Sequence, residues 1–203
     1  MSVLETLGFT VGTAFASGLN LYATVAVLGL LERFRVVHLP DSLHVVAHPA
    51  VIITAIALYA IEFVADKVPY VDTIWDAVHT FIRPPAAALL AYAAFGDVPE
   101  VWRVLGSLLA GGVALTSHGT KASARAAINA SPEPFSNWIA SLSEDGIAIF
   151  LVWMAAGHPV LTMVIVVALL VLCAYLLLKL AKFLRQVLGR FLPRPRLNEG
   201  RVN

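Results

Sequence analysis

Uncharged runs divide this chain into segments. The first extends from Leu7 to Leu31, 25 residues without a charged side chain. A run of that length crosses the roughly 30 Å of hydrocarbon in a bilayer as one helix. Ala14-Phe15-Ala16 has the small residues of a signal cleavage site, but no Lys or Arg precedes it and Glu5 stands where a basic segment belongs. The run is therefore expected to be a first transmembrane helix rather than a removed signal. Further runs follow at Pro49–Ile61, Pro84–Gly96, Val104–Thr120 and Gly146–Gly157, and Pro159–Leu178 gives 20 residues without a charge. The run at 84–96 has only 13 residues. It reads either as a helix continuing from Val71 and kinked at Pro84-Pro85, or as a re-entrant segment, because proline removes a backbone donor and clashes one turn back.

The pattern predicts an all-α, polytopic helical membrane protein with about six transmembrane segments, some of them short or kinked. Residues 1–192 form one helical domain and 193–203 a basic flexible tail. Six spans with both termini cytoplasmic put Lys67, Arg83, Lys121, Arg125 and the basic residues from Lys179 onward inside, 11 of the 14 Lys and Arg. Arg33, Arg35 and Arg103 fall outside, which satisfies the positive-inside rule. The expected location is a plasma membrane of the bacterial inner-membrane type.

Composition agrees: 59% of residues are hydrophobic and 13% charged, against about 45–50% and about 25% in soluble domains, and the mean hydropathy is +0.82. A single cysteine, Cys173, excludes a disulfide scaffold or a cysteine metal site. A net charge of +1 gives no field to draw nucleic acid. Gly12, Ala14 and Ser17 recur as Gly112, Ala114 and Ser117, which reads as a weak internal repeat of inverted halves. His48-Pro49 recurs as His158-Pro159 in a parallel sense that contradicts it.

Polar groups within the apolar segments carry the candidate chemistry. Thr13, Ser17, Asn20 and Thr24 share one helix face, with Gly18 among them. Asn20 must face protein or water. The stripe is either interhelical glue or a binding site at a locally opened helix. Glu62 and Asp66 end the second span, where ionisable groups are rare and usually paired or functional. Asp72, Asp76, His79 and Arg83 form a second polar face, expected on an amphipathic interfacial helix with that face solvated. Two aspartates spaced by four could instead hold a divalent cation against a diphosphate, though no metal site or cofactor is expected from them alone. His118, Lys121 and Arg125 make a cationic face suited to phosphate or carboxylate, or else paired with Glu144, Asp145 or the acidic stretch. Ser131-Pro132-Glu133-Pro134 reads as a helix start, and Ser141 with Glu144 as a capping box that opens the fifth span. Asn129-Ala130-Ser131 matches a glycosylation sequon without meaning on a cytoplasmic loop. Phosphate-loop, zinc and nucleophile-elbow patterns are lacking.

Several blocks together carry a resemblance. They are Ala16-Ser17-Gly18-Leu19-Asn20-Leu21-Tyr22, the stretch from Glu62 to Asp72, Trp75 to Pro85, His118-Gly119-Thr120-Lys121-Ala122 with Arg125, Asn129 to Asn137, and Glu144-Asp145. The chain resembles, from about Leu4 to Arg190, the membrane family catalogued as domain of unknown function 4126. The resemblance implies a compact helical integral membrane protein of bacteria and plants, and no particular activity.

The residues themselves support three readings. A small transporter or channel for an anionic solute or a lipid phosphate accounts for Asn20, Glu62 and the His118, Lys121, Arg125 face together. A non-catalytic scaffold or lipid-binding protein is the alternative, and a metal-dependent lipid-phosphate enzyme ranks last. Asn20, Glu62, Asp66, His118, Lys121 and Arg125 are expected to line one cavity open to the cytoplasm, with Ser17 nearby. The first, second and fourth spans should pack through Gly8, Gly12, Ala16 and Gly106, Ala110, Ala114. Membrane lipids are the expected partners. Lys179, Lys182, Arg185 and Arg190 suit anionic ones, and a homo-oligomer is left open.

Overall fold

The computed structural model describes residues 2–96, 98–130 and 134–191. Among them are eight α-helices: α1 (Val3–Leu19), α2 (Leu21–Arg33), α3 (Pro49–Ala65), α4 (Val71–His79), α5 (Arg83–Ala94), α6 (Glu100–Asn129), α7 (Pro134–Gly157) and α8 (Pro159–Phe191). A short 3-10 helix, Asp41–Ala47, precedes α3, and no strand occurs among the described residues. Ser131, Pro132, Glu133 and the tail at 193–203 lie outside the described residues, as does the side chain of Arg190.

The first apolar run does not form one helix. Ser2 and Glu5 close a capping box at the start of α1, and α1 then stops at Asn20, whose backbone is extended at φ −150 and ψ 103. Asn20 ends α1 and caps α2: its side chain accepts from the Ala23 N–H. The chain reverses there. Thr6, near the start of α1, lines the same crevice as His38 and Leu39, which follow α2. A straight continuation would separate Thr6 from Arg33 by about 40 Å at 1.5 Å per residue. The pair is therefore a helical hairpin with Asn20 at its tip, in place of the single crossing expected over 7–31.

The remaining helices stand around this hairpin. Arg83, at the start of α5, reaches the carbonyls of Gly18 and Leu19, while Phe95 at its end lies with Val3 and Leu7. Hence α5 runs antiparallel to α1. The α6 helix runs parallel to α1, with Trp102 beside Val3 and the Ser117 hydroxyl donating to the Phe15 carbonyl. Gly8 and Gly12 pack against α8 and α7: a Cβ on Gly8 would strike the Pro159 carbonyl, and one on Gly12 would meet Thr162 and Ala155. This departs from the expected packing of those glycines on α6. Only Gly18 approaches α6 so closely, where a Cβ would collide with Ser117 Oγ and the Ala114 carbonyl.

Gly112 has open space where a Cβ would stand, whereas its offset counterpart Gly12 is closely packed. The surroundings differ at this pair, whereas Ala14, Ala114, Ser17 and Ser117 are all buried. The break between α4 and α5 lies at Thr80–Ile82. That is ahead of Pro84 and Pro85, which occupy the first turn of α5 where a missing N–H costs little. The fifth segment is longer than its apolar run, because α7 opens at Pro134 and carries Glu144 and Asp145 in mid-helix. Ser141 and Glu144 therefore cap nothing.

Polarity is inverted relative to a water-soluble bundle. Asn20, Glu62, Arg83, His118 and Arg125 are all 0% exposed, while Ile74 is 68% and Phe81 81% exposed. Buried polar groups and exposed apolar surface together mark contact with lipid. The segments Phe135–Gly157 and Pro159–Phe183 are each long and apolar enough to cross a membrane, and a third candidate joins Asp41–Ala47 to α3 across a bend of 61°. The protein is thus an all-helical membrane protein with two or three clear candidate spans.

Candidate functional site

Breaking a helix in an apolar interior leaves carbonyls without intrahelical partners. The end of α1 meets that need with charged side chains from two other helices. Arg83 Nη1 donates to the Gly18 carbonyl at 2.8 Å and to the Leu19 carbonyl at 3.0 Å. Lys121 Nζ donates to the Leu19 carbonyl at 3.1 Å. The negative end of the α1 dipole favours both cations. On the other side of the break, Asn20 Nδ2 donates to Asp145 Oδ1 of α7 at 2.9 Å.

These cations are in turn ringed by carboxylates. Arg83 Nη2 donates to Glu62 Oε1 at 2.6 Å. Lys121 Nζ lies 2.8 Å from Asp66, 3.5 Å from Glu62, 3.6 Å from Glu144 and 4.0 Å from Asp76. Arg125 Nη2 meets Glu144 at 2.6 Å, and its Nη1 donates to the Asp66 carbonyl at 2.7 Å. Asp72 accepts from Asn129 Nδ2 at 2.8 and 2.9 Å with its two oxygens, and Asn137 Nδ2 donates to Asn129 Oδ1. Lys67, at the margin, donates to Ser141 Oγ.

His118 joins α4 to α5. Arg83 Nη1 donates to His118 Nδ1 at 2.9 Å, so the ring proton sits on Nε2. That nitrogen donates to the Asp76 carbonyl and the Thr80 hydroxyl. His79 donates from Nδ1 to the Trp75 carbonyl and accepts the Tyr22 hydroxyl at Nε2. Burial holds the His79 imidazolium below its ordinary range.

Asn20, Glu62, Asp66, His118, Lys121 and Arg125 therefore belong to one contiguous network, and Asp72, Asp76, His79 and Arg83 belong to it too. The second polar face is buried, not solvated: Asp72 is 0% and His79 2% exposed, and the apolar face of α4 turns outward. Ser17 is buried beside the tip, but its hydroxyl has no hydrogen-bond partner. Thr13 and Thr24 bond only to backbone carbonyls of the hairpin itself, so of the polar stripe Asn20 alone reaches another helix. The network is close-packed rather than a cavity open to water: the side chains of Arg83 and Lys121 are 0% and that of Arg125 1% exposed.

Sequence reading had Glu144 and Asp145 as possible partners of the cationic face but gave Asn129, Asn137, Tyr22 and Thr80 no role in the site. The signal for the two acids was their adjacency inside an otherwise apolar helix. Among the described residues no group of three or more His, Cys, Asp and Glu side chains is arranged to hold a metal ion. Asp72 and Asp76 share a face yet have separate surroundings, which removes the geometric basis for a metal held between them.

A separate apolar crevice of about 600 Å³ lies between α2, α3 and α5, lined by Val25, Val46, Ala55, Leu58 and Leu90. Tyr22 closes it on the side of the ionic network.

No curated protein and no solved structure matches the chain. A model of the family described as Domain of unknown function (DUF4126) matches residues 7–179, and the chain belongs to that family.

Proposed function

We propose that this protein is a small transporter whose solute path passes the Asn20 tip of the α1–α2 hairpin. One observation carries the reading: a helix broken inside the bundle, with its free carbonyls held by buried cations. Half-helices that end at a charged site in mid-membrane are the device by which many transporters hold substrates and coupling ions.

The expected anionic solute fits this site poorly. Arg83, Lys121 and Arg125 already face Glu62, Asp66, Asp72, Asp76 and Glu144, and Lys67 at the margin acts on Asp145 and Asp66. Six carboxylates against four cations favour a cationic or neutral solute. Closed packing of the network favours a second reading, a scaffold whose ion pairs simply fasten the bundle.

In the transport reading α1 and α2 form a re-entrant hairpin, and α3, α5, α6, α7 and α8 cross the membrane. Lys67, Arg83, Lys121, Arg125 and the basic residues of α8 then gather at one end of the bundle, which the positive-inside rule makes cytoplasmic. The N-terminus lies on the opposite side, in place of both termini being inside. The inner membrane of a bacterium is the compartment this orientation suits.

The test is charge movement in proteoliposomes on a solid-supported membrane. Concentration jumps of sodium, potassium, ammonium, guanidinium and inorganic phosphate are compared for the native chain and Asn20→Ala. The transport reading expects a transient current with at least one cation that Asn20→Ala abolishes. A response to phosphate alone would return the solute to the anionic class, and silence to every probe would leave the scaffold.

A further inference from the structure

We propose that Asp76 is a proton-binding site, taking up one proton from the aqueous phase at the α4 end of the bundle and neutralising part of the network's acidic excess. The proposal does not depend on transport.

Five of the six carboxylates have direct donors. Glu62 accepts from Arg83, Asp66 from Lys121, Glu144 from Arg125, Asp72 from Asn129 and Asp145 from Asn20. Asp76 is 2% exposed, and neither of its side-chain oxygens has a hydrogen-bond partner. Its nearest cations, Arg83 Nη2 at 3.7 Å and Lys121 Nζ at 4.0 Å, have shorter contacts with other acceptors. An ionised carboxylate without donors in such a place is costly.

A proton removes that cost. It turns Asp76 into a donor in the ring around Lys121, where Glu62 Oε2 and Asp66 Oδ1 also lack hydrogen-bond partners. A metal ion would need several converging ligands and would meet Arg83 and Lys121. A proton needs neither. The step is simple acid–base chemistry: hydronium gives its proton to the Asp76 carboxylate and leaves water, with no change of oxidation state.

The groups that face Asp76 come from every neighbouring helix. Lys121 on α6, Arg83 on α5, Asp66 at the end of α3 and Glu144 on α7 act on its carboxyl. His118 on α6 bonds its carbonyl, and Glu62 on α3 shares Arg83 and Lys121 with it. Asp72 and His79 stand one turn away on either side along α4. Lys121 and Arg83 hold the carboxyl down, while Asp66, Glu144 and above all burial push it up, leaving Asp76 at about 6.

Infrared difference spectroscopy of the purified full-length protein tests this directly. Between about pH 8 and about pH 5, on either side of the raised value, the native chain should gain a protonated-carboxyl C=O band. Asp76→Asn should lose that band and Asp72→Asn should keep it. If Asp76→Asn does not fold, native protein carrying a heavy carbonyl isotope in its aspartates takes its place, and the band must shift. No band in acid, a band retained in Asp76→Asn, or one that moves only with labelled glutamate overturns the proposal.

Discussion

Arg83 Nη1 donates to the Leu19 carbonyl at 3.0 Å, so the first residue of α5 closes the broken end of α1. The same guanidinium grips Glu62 through Nη2, and its planar fork makes both contacts at once. An ammonium presents no such fork. Arg83→Ala should lower stability by about 3–5 kcal/mol, the usual cost of leaving a buried partner unpaired. Arg83→Lys should recover less than half of the loss. Thermal unfolding of the purified protein measures both, and a lysine variant as stable as the native chain would show that charge alone suffices.

Gly18 and Gly112 should respond to alanine in opposite ways. At Gly18 the new methyl meets Ser117 Oγ and the Ala114 carbonyl, so Gly18→Ala should cost about 1–3 kcal/mol through overpacking. Gly112 has open space around it. There alanine should be neutral or gain about 0.5–1 kcal/mol from helix propensity. Equal effects at the two sites would contradict the close approach of α1 to α6.

The hairpin makes a topological prediction. Single cysteines are placed at Ser2, Ser42 and Thr73 in a chain whose Cys173 is replaced by alanine. An impermeant thiol reagent applied to intact cells should modify the first two alike and spare the third. Ser2 and Ser42 both lie near the end of the bundle that holds Thr6 and Phe95, whereas Thr73 lies beside the network. A continuous first span would make Ser2 and Ser42 behave oppositely.

That reversal was hidden in the sequence for a physical reason. A 25-residue uncharged run has the same composition whether it crosses once or folds back at its middle. Asn20 with Gly18 marked the break, which one of the two readings of the stripe took as a locally opened helix, but neither residue signalled that the chain reverses there. The amphipathic spacing of α4 was equally legible, yet periodicity separates two faces without saying which one is inside. Glu144 had two readings: the cap suggested by Ser141-x-x-Glu144 fails, while pairing with the cationic face holds through Arg125, 19 residues away. The cationic face of α6 and the acids ending α3 were visible because charges inside apolar segments demand partners.

Stability should depend on pH in a way that Asp76→Asn changes. The Asp76 carboxyl stands at about 6 in the fold, above its ordinary 3.8. The folded state therefore holds the proton more tightly than the unfolded chain. The associated stability is fully present below the unfolded value and is lost as pH rises through about 6. His79 works in the other sense. Its value is lowered, so its contribution is present above the unfolded value of 6.5 and is lost as pH falls through the folded one. Subtracting the melting profile of Asp76→Asn from that of the native chain isolates the first component. The native protein should lose ground to the variant as pH rises through about 6, and a constant difference would refute the assignment.

The Asn20–Asp145 bond allows a test by exchange. Asn20 caps α2 through Oδ1 and binds Asp145 through Nδ2. Asn20→Ala removes the cap, worth about 1 kcal/mol, and leaves Asp145 with only the Tyr59 hydroxyl at 3.4 Å. Asn20→Asp keeps an oxygen for the Ala23 N–H but sets a second carboxylate against Asp145 where water cannot screen it. It should therefore be the more damaging of the two. Combining Asn20→Asp with Asp145→Asn restores one amide and one carboxylate with their places exchanged, so the bond re-forms in the reverse sense. The double variant should be more stable than the sum of the single losses by about 0.5–3 kcal/mol, the range for residues in contact. Cation-induced current, if Asn20→Ala abolishes it, should return in the exchanged pair. Additive losses with no recovery would mean that this bond does not set the hairpin tip.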